Sequence, residues 1–158
     1  MAVLGAFNQV KSRRKFMLTS AGVAAMVLVR PAEPLAQSDL LAAAVRNYAG
    51  TAVIREGRVK LEIAPLVDNG NSVPIEVSVE SPMTAMDRVV GIAVFNEKNP
   101  QRDVAEFLLG PHAGKARVGT RIRLATTQKL VAIARMSDGS CWTHTADVLV
   151  TLAACIEE

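Results

Sequence analysis

The amino-acid sequence predicts an all-β sandwich fronted by one short helix, and three observations carry that expectation. Past Arg58 the apolar residues recur with a period of two, the signature of strands buried on one face. The alternating runs number about seven within about 100 residues. The segments between them are short and rich in Asn, Asp, Gly and Pro, residues that favour turns.

The helix comes first. Leu40, Leu41, Ala44, Val45 and Tyr48 follow helical spacing behind Gln37-Ser38-Asp39, with Ser38 or Asp39 expected as N-cap and Gly50 as the stop. Val59, Leu61 and Ile63 then alternate with Lys60 and Glu62, and Val73, Ile75, Val77 and Val79 with Pro74, Glu76, Ser78 and Glu80. Between these two strands Asp68-Asn69-Gly70-Asn71 is expected to turn through positive φ, which Asn and Gly accept. Further strands are expected around 89–95, 104–109, 116–124, 130–137 and 141–152, separated by Glu97-Lys98-Asn99-Pro100, Gly110-Pro111, Ala125-Thr126-Thr127-Gln128 and Asp138-Gly139. Short strands and short turns at this density point to an immunoglobulin-like sandwich. Residues 37–158 are enough chain to bury a stable core without disulfides.

Residues 1–36 read as a separate segment, a twin-arginine signal peptide. Ser12-Arg13-Arg14-Lys15-Phe16-Met17 sets Arg13 and Arg14 ahead of a run from Phe16 to Val29 that carries no charge. A membrane-spanning helix needs about 20 apolar residues, and this run is shorter, so it fits an export signal better than an anchor. The segment holds Lys11, Arg13, Arg14, Lys15 and Arg30 against Glu33 alone. Of 18 basic and 15 acidic residues in the chain, the remainder therefore keeps nearly equal numbers, and the formal charge of +3 belongs to the signal. Nucleic-acid binding loses its main support. The twin-arginine route carries folded proteins, so the signal leads us to expect a periplasmic protein that acquires a partner before export.

The two cysteines, Cys141 and Cys155, are not expected to pair. The Asp138-Gly139 hairpin starts the last strand near Cys141, and Cys155 lies at its far end. At about 3.3 Å per residue an unbroken strand would hold them some 40 Å apart, whereas a disulfide needs α-carbons within about 7 Å. Cys141 shares its parity with Thr143, Thr145 and Asp147, opposite Trp142, His144, Ala146, Val148, Val150 and Leu152, so it is expected on a solvent- or partner-facing side. Cys155 lies beyond the last alternating residue, where a thiol is expected to be accessible and nucleophilic once ionised.

Other chemistries find little. His112 and His144 have no ligand-type partners at metal-binding spacing, so no metal site is expected. There is no Gly-rich phosphate loop and no nucleophile elbow, and hence no cofactor or enzymatic centre is expected. Lys115, Arg117, Arg121 and Arg123 share one strand parity, a basic stripe that reads as either a solvated face or a surface for an anion or partner.

Several stretches together resemble the SoxY family of sulfur carriers in thiosulfate oxidation: Asn69-Gly70-Asn71-Ser72-Val73-Pro74, Ser81-Pro82-Met83, Glu97-Lys98-Asn99-Pro100, Thr120-Arg121-Ile122-Arg123-Leu124-Ala125, Thr127-Gln128 and Met136-Ser137-Asp138-Gly139. The resemblance implies a periplasmic immunoglobulin-like subunit, not itself an enzyme, that pairs with a SoxZ-like subunit as a heterodimer. It further implies that Cys155, in the position of the family's carrier cysteine, covalently holds thiosulfate or another sulfur species. Sox-type haem and sulfatase-like enzymes would act on it there; neither nucleic acid nor membrane is implied as a partner. The ending departs from the family's usual Gly-Gly-Cys-Gly-Gly: here it is Ala153-Ala154-Cys155-Ile156-Glu157-Glu158. Alanines stiffen an arm, and the acidic tail repels anions and raises a thiol pKa. A diverged, non-catalytic interaction subunit that no longer carries thiosulfate is the alternative expectation.

Overall fold

The computed structural model of the protein describes residues 37–154. The signal-peptide reading of residues 1–36, with Arg13 and Arg14, and the carrier position Cys155 lie outside the described residues.

The chain opens with α1 (Gln37–Ala49) and continues through β1 (Ile54–Glu56), β2 (Val59–Glu62), β3 (Leu66–Val67), β4 (Val73–Val79), β5 (Val89–Asn96), β6 (Asp103–Leu108), β7 (Arg117–Ile122), β8 (Gln128–Met136) and β9 (Cys141–Val150). One sheet runs β1-β9-β8-β5-β6, with β3 also on β9; the other runs β2-β4-β7. Their facing sides bury Val59, Leu61, Val73, Ile75, Val77, Ile92, Val94, Leu124, Leu130, Ala132 and Val148 in one core. This is the expected immunoglobulin-like sandwich with one short helix.

The structure adds two strands to the seven expected. β1 and β3 have three and two residues, too short to show a period, and both pair in parallel with β9, at Ile54↔Cys141 and Leu66↔Leu149. Between them the chain crosses to the other sheet to form β2, whose Leu61 N–H donates to His144 Nδ1 at 3.2 Å. His144 thus closes one flank of the sandwich.

Helix α1 begins at Gln37, so Ser38 and Asp39 lie in its first turn rather than at its cap; Gly50 ends it as expected, its N–H donating to Arg46 O at 2.9 Å. The helix sets Leu41 and Val45 on the outer face of the large sheet, against Ala93, Phe95, Val131, Ile133 and Cys141. β5 and β8 are therefore covered on both faces, which is why Val89-Val90-Gly91-Ile92-Ala93-Val94-Phe95 and Leu130-Val131-Ala132-Ile133-Ala134 read as almost continuous apolar runs.

The same helix corrects the expectation for Cys141. Its parity does point away from the inter-sheet core, yet that side is roofed by α1, and Cys141 is a fully buried free thiol. Thr143 is buried with it, while Thr145 and Asp147, further along β9, are exposed. Burial pushes the Cys141 thiol pKa up; the nearby Arg135 opposes the shift and Asp138 adds to it.

Candidate functional site: the root of the carboxyl-terminal arm

The end of β9 is held by hydrogen bonds to two loops. Thr127 Oγ1 accepts from Val150 N–H at 3.0 Å, and Thr151 N–H donates to Val67 O at 3.0 Å while its hydroxyl donates to Asp68 O at 3.1 Å. Beyond Thr151 the bonds are main-chain. Gly70 N–H donates to Leu152 O at 2.8 Å, Leu124 N–H to Gly70 O at 2.8 Å, and Ala154 N–H to Leu124 O at 3.1 Å. Ala154 is 7% exposed, so the chain is anchored up to the residue before Cys155.

Gly70 is essential to this junction for a reason other than the expected one. It does not adopt positive φ; it is needed because three backbone segments meet at its Cα. A Cβ there would lie 2.3 Å from Leu124 O and 2.9 Å from Ala154 N, closer than any side-chain carbon can stand. The turn itself is stabilised by Asn69 Oδ1, which accepts from Asn71 N–H at 2.9 Å.

Leu124 is in turn fixed from beneath. Asn99 Nδ2 donates to Arg123 O at 2.8 Å, and Asn99 Oδ1 accepts both Ala125 N–H at 3.0 Å and Gln128 Nε2 at 2.7 Å. Gln128 Oε1 accepts Lys98 N–H at 2.8 Å, and Asn96 Oδ1 accepts Asn99 N–H at 3.0 Å. Asn96 and Gln128 are almost wholly buried, so these bonds satisfy polar groups whose desolvation would otherwise cost about 1–3 kcal/mol each. Four of the stretches that carry the family resemblance, those around Gly70, Asn99, Leu124 and Gln128, therefore converge on the root of one arm. Period and composition do not reveal this; the amide side chains in otherwise turn-like segments were the available signal.

The basic stripe divides. β7 covers only 117–122, so Lys115 and Arg123 flank it. Arg117 is paired with Glu76 at 2.6 Å, on a sheet face where Lys60 and Glu62 also form an ion pair, so this end is charge-balanced. Arg121 and Arg123 are exposed, and Arg121 Nη1 reaches Ser72 Oγ at 3.4 Å, beside the Gly70 junction. Exposed leucines lie along β3 and the end of β9: Leu66 and its cross-strand partner Leu149 are 55% and 58% exposed, and Leu152, just past β9, 60%.

Among the described residues no group of three His, Cys, Asp or Glu side chains could hold a metal ion, and no helix is long and apolar enough to cross a membrane.

The fold defines an immunoglobulin-like domain whose last described residues are anchored by main-chain hydrogen bonds at one end of the sandwich. Residues 45–155 match the model of the sulfur oxidation protein SoxY, and the chain belongs to the SoxY family. It is thereby placed among carrier proteins and not among enzymes. The sulfur carrier protein SoxY from Chlorobium limicola f thiosulfatophilum is similar in structure, with a TM-score of 0.61 and 26% identity over 73% of this chain and 99% of that one. The superoxide reductase (neelaredoxin) from Ignicoccus hospitalis shares the fold alone, at TM-score 0.53 and 19% identity over 60% of this chain and 80% of that one. No curated protein sequence matches.

Proposed function

We propose that the protein is a periplasmic carrier, exported by the twin-arginine route, that holds sulfur-oxidation intermediates covalently on Cys155 in complex with a SoxZ-like subunit. The observation that carries this reading is the convergence of the family's sequence stretches on the root from which Cys155 follows. A carrier needs its cysteine beyond the packed domain and its domain undisturbed as the cargo changes. Main-chain bonds through Gly70 and Leu124 support the second need, since they depend on no side chain of the arm.

The anchoring also bears on Ala153 and Ala154. A glycine arm gains reach from conformational freedom, but Ala154 is already bonded and buried, so freedom at that residue would be lost in any case. Joining the Cys155 thiolate to thiosulfate forms an S–S bond and releases two electrons. A Sox-type haem enzyme is the acceptor in this scheme, and a sulfatase-like hydrolase later removes the oxidised outer sulfur as sulfate.

Intact mass of protein taken from its native periplasm during growth on thiosulfate tests the reading. A thiosulfate-derived adduct is expected, removable by a reducing thiol and absent from Cys155→Ser. Cys155 found only as an unmodified thiol would overturn it. The exposed Leu66, Leu149 and Leu152 favour a companion reading, in which this flank receives the second subunit. Leu149→Glu is expected to abolish co-purification of that subunit, which Cys155→Ser should leave intact.

A further inference from the structure

We infer that His144 is an acid-sensitive latch between the two sheets, holding the outer edge of β2 while its imidazole is neutral and releasing it when protonated. That edge needs a partner from outside its own sheet, because β2 is the end strand of the β2-β4-β7 path. Arg58 O accepts Glu80 N–H, which sets Lys60 and Glu62 as the residues bonded to β4 and turns the main-chain groups of Val59 and Leu61 away from it. Val59 N–H turns back to Gly57 O, and Leu61 N–H donates to His144 Nδ1 on β9 at 3.2 Å. The second bond joins the small sheet to the large one across the flank of the core.

A proton abolishes the acceptor in this bond. A neutral imidazole has one donor and one acceptor nitrogen, so accepting at Nδ1 requires the hydrogen to sit on Nε2, whereas the imidazolium has two donors and no acceptor. Protonation therefore sets two N–H groups against each other where a hydrogen bond stood. Imidazole is the side chain that ordinarily gains its proton between about pH 8 and pH 5. His144 is exposed, so solvent protons reach the ring in the folded protein, while the Leu61 it serves is 4% exposed, a position where an unpaired N–H is costly.

The charged groups on the surrounding elements are engaged elsewhere. Lys60 and Glu62, on either side of Leu61, pair with each other, and on β4 Glu76 pairs with Arg117. Glu56, opposite Thr143 at the end of β1, and Asp147, which pairs with Lys129, lie on the other face of the large sheet. On β8 the residue opposite His144 is Ala132, with Leu130 and Ala134 on the same face, and β3 brings only Leu66 and Val67. The charges sharing its face are Arg55 and Arg58, both over the ring of Trp142, and Asp87 is committed to Arg58. Guanidinium groups have no acceptor to offer a protonated ring. Once released, the edge of β2 presents main-chain groups with which another strand can pair.

The test is native-state amide exchange of the mature protein at about pH 7.5 and about pH 5, read as protection factors so that the intrinsic pH dependence of exchange is removed. Protection at Leu61 is expected to fall about ten-fold at the lower pH, the change in equilibrium that follows loss of one hydrogen bond. Leu124 and Ala154, held by main-chain bonds, should keep theirs. In His144→Gln, whose side-chain carbonyl accepts without titrating, protection at Leu61 should be the same at both pH values. His112→Gln should behave as the parent does. Nitrogen chemical shifts of the imidazole give a second reading that needs no variant, with hydrogen on Nε2 and a bare Nδ1 expected at the higher pH. The latch is overturned by any one of four results: protection at Leu61 that does not change with pH, an equal fall in His144→Gln or at Leu124 and Ala154, a fall that disappears in His112→Gln, or hydrogen on Nδ1 at the higher pH.

Discussion

The two cysteines flank β9 in sequence, Cys141 as its first residue and Cys155 five residues past its end, just beyond the described residues. Cys141 opens β9 beneath helix α1, fully buried among Leu41, Val45, Phe95 and Ile133, with its pKa raised mainly by desolvation. Cys155 follows the other end, after the chain has passed the Gly70–Leu124 junction. Position within the fold, and not residue type, separates a packing atom from a candidate carrier. The helix that hides Cys141 takes that thiol out of reach of solutes in the folded protein.

Thiol labelling gives the largest expected contrast. In native buffer Cys155 should react with a small disulfide reagent at least about a thousand-fold faster than Cys141, which must wait for the helix or the whole domain to open. Equal rates would show that α1 does not cover its end of the sheet. Gly70→Ala attacks the other end. A Cβ cannot fit against Leu124 O, so the junction must part, at an expected cost of about 1–3 kcal/mol in denaturant unfolding. Amide exchange at Leu124 and Ala154 should rise far more than at Cys141. Uniform loosening of both ends would contradict a local role for Gly70.

Smaller effects come from Cys141 itself. Cys141→Ala should cost about 1 kcal/mol near neutral pH, against nearly nothing for Cys155→Ala. The sign of its pH dependence follows from burial. A thiol whose folded pKa is raised contributes stability that is complete below its unfolded pKa and is lost as pH rises through the folded one. The stability gap between the parent protein and Cys141→Ala should therefore narrow above about pH 9. Tyr48, raised mainly by burial, also feels the Cys141 thiolate as a smaller contribution, so the comparison reads the Cys141 titration together with its coupling to Tyr48. A gap that stays constant through alkaline pH would mean that Cys141 is not desolvated.

Much of the fold was legible because alternation records one-sided burial. β2, β4 and β7 expose one face, and their residues alternate accordingly. β5 and β8 were found as strands, but their second buried face could be inferred only with α1 in place. β1 and β3 escaped notice because two or three residues cannot carry a period. The basic stripe was read correctly as a parity, yet a parity does not say that Glu76, on the neighbouring strand, neutralises one end of it. At the arm root, Asn99 and Gln128 looked like turn residues; their role as supports for Leu124 depends on partners 24 to 29 positions away.

By itself the sequence determined the strand pattern, the contrast in charge and patterning between residues 1–36 and the rest, and the candidacy of Cys155, since each follows from local spacing, charge or order along the chain. Only the tertiary structure decided that Cys141 is buried, that Gly70 is required by close approach rather than by φ, and that Arg117 is paired with Glu76 while Arg121 reaches Ser72. Those outcomes depend on which segments pack against each other across the chain, and that packing is set by burial of the whole core rather than by any residue's neighbours in sequence.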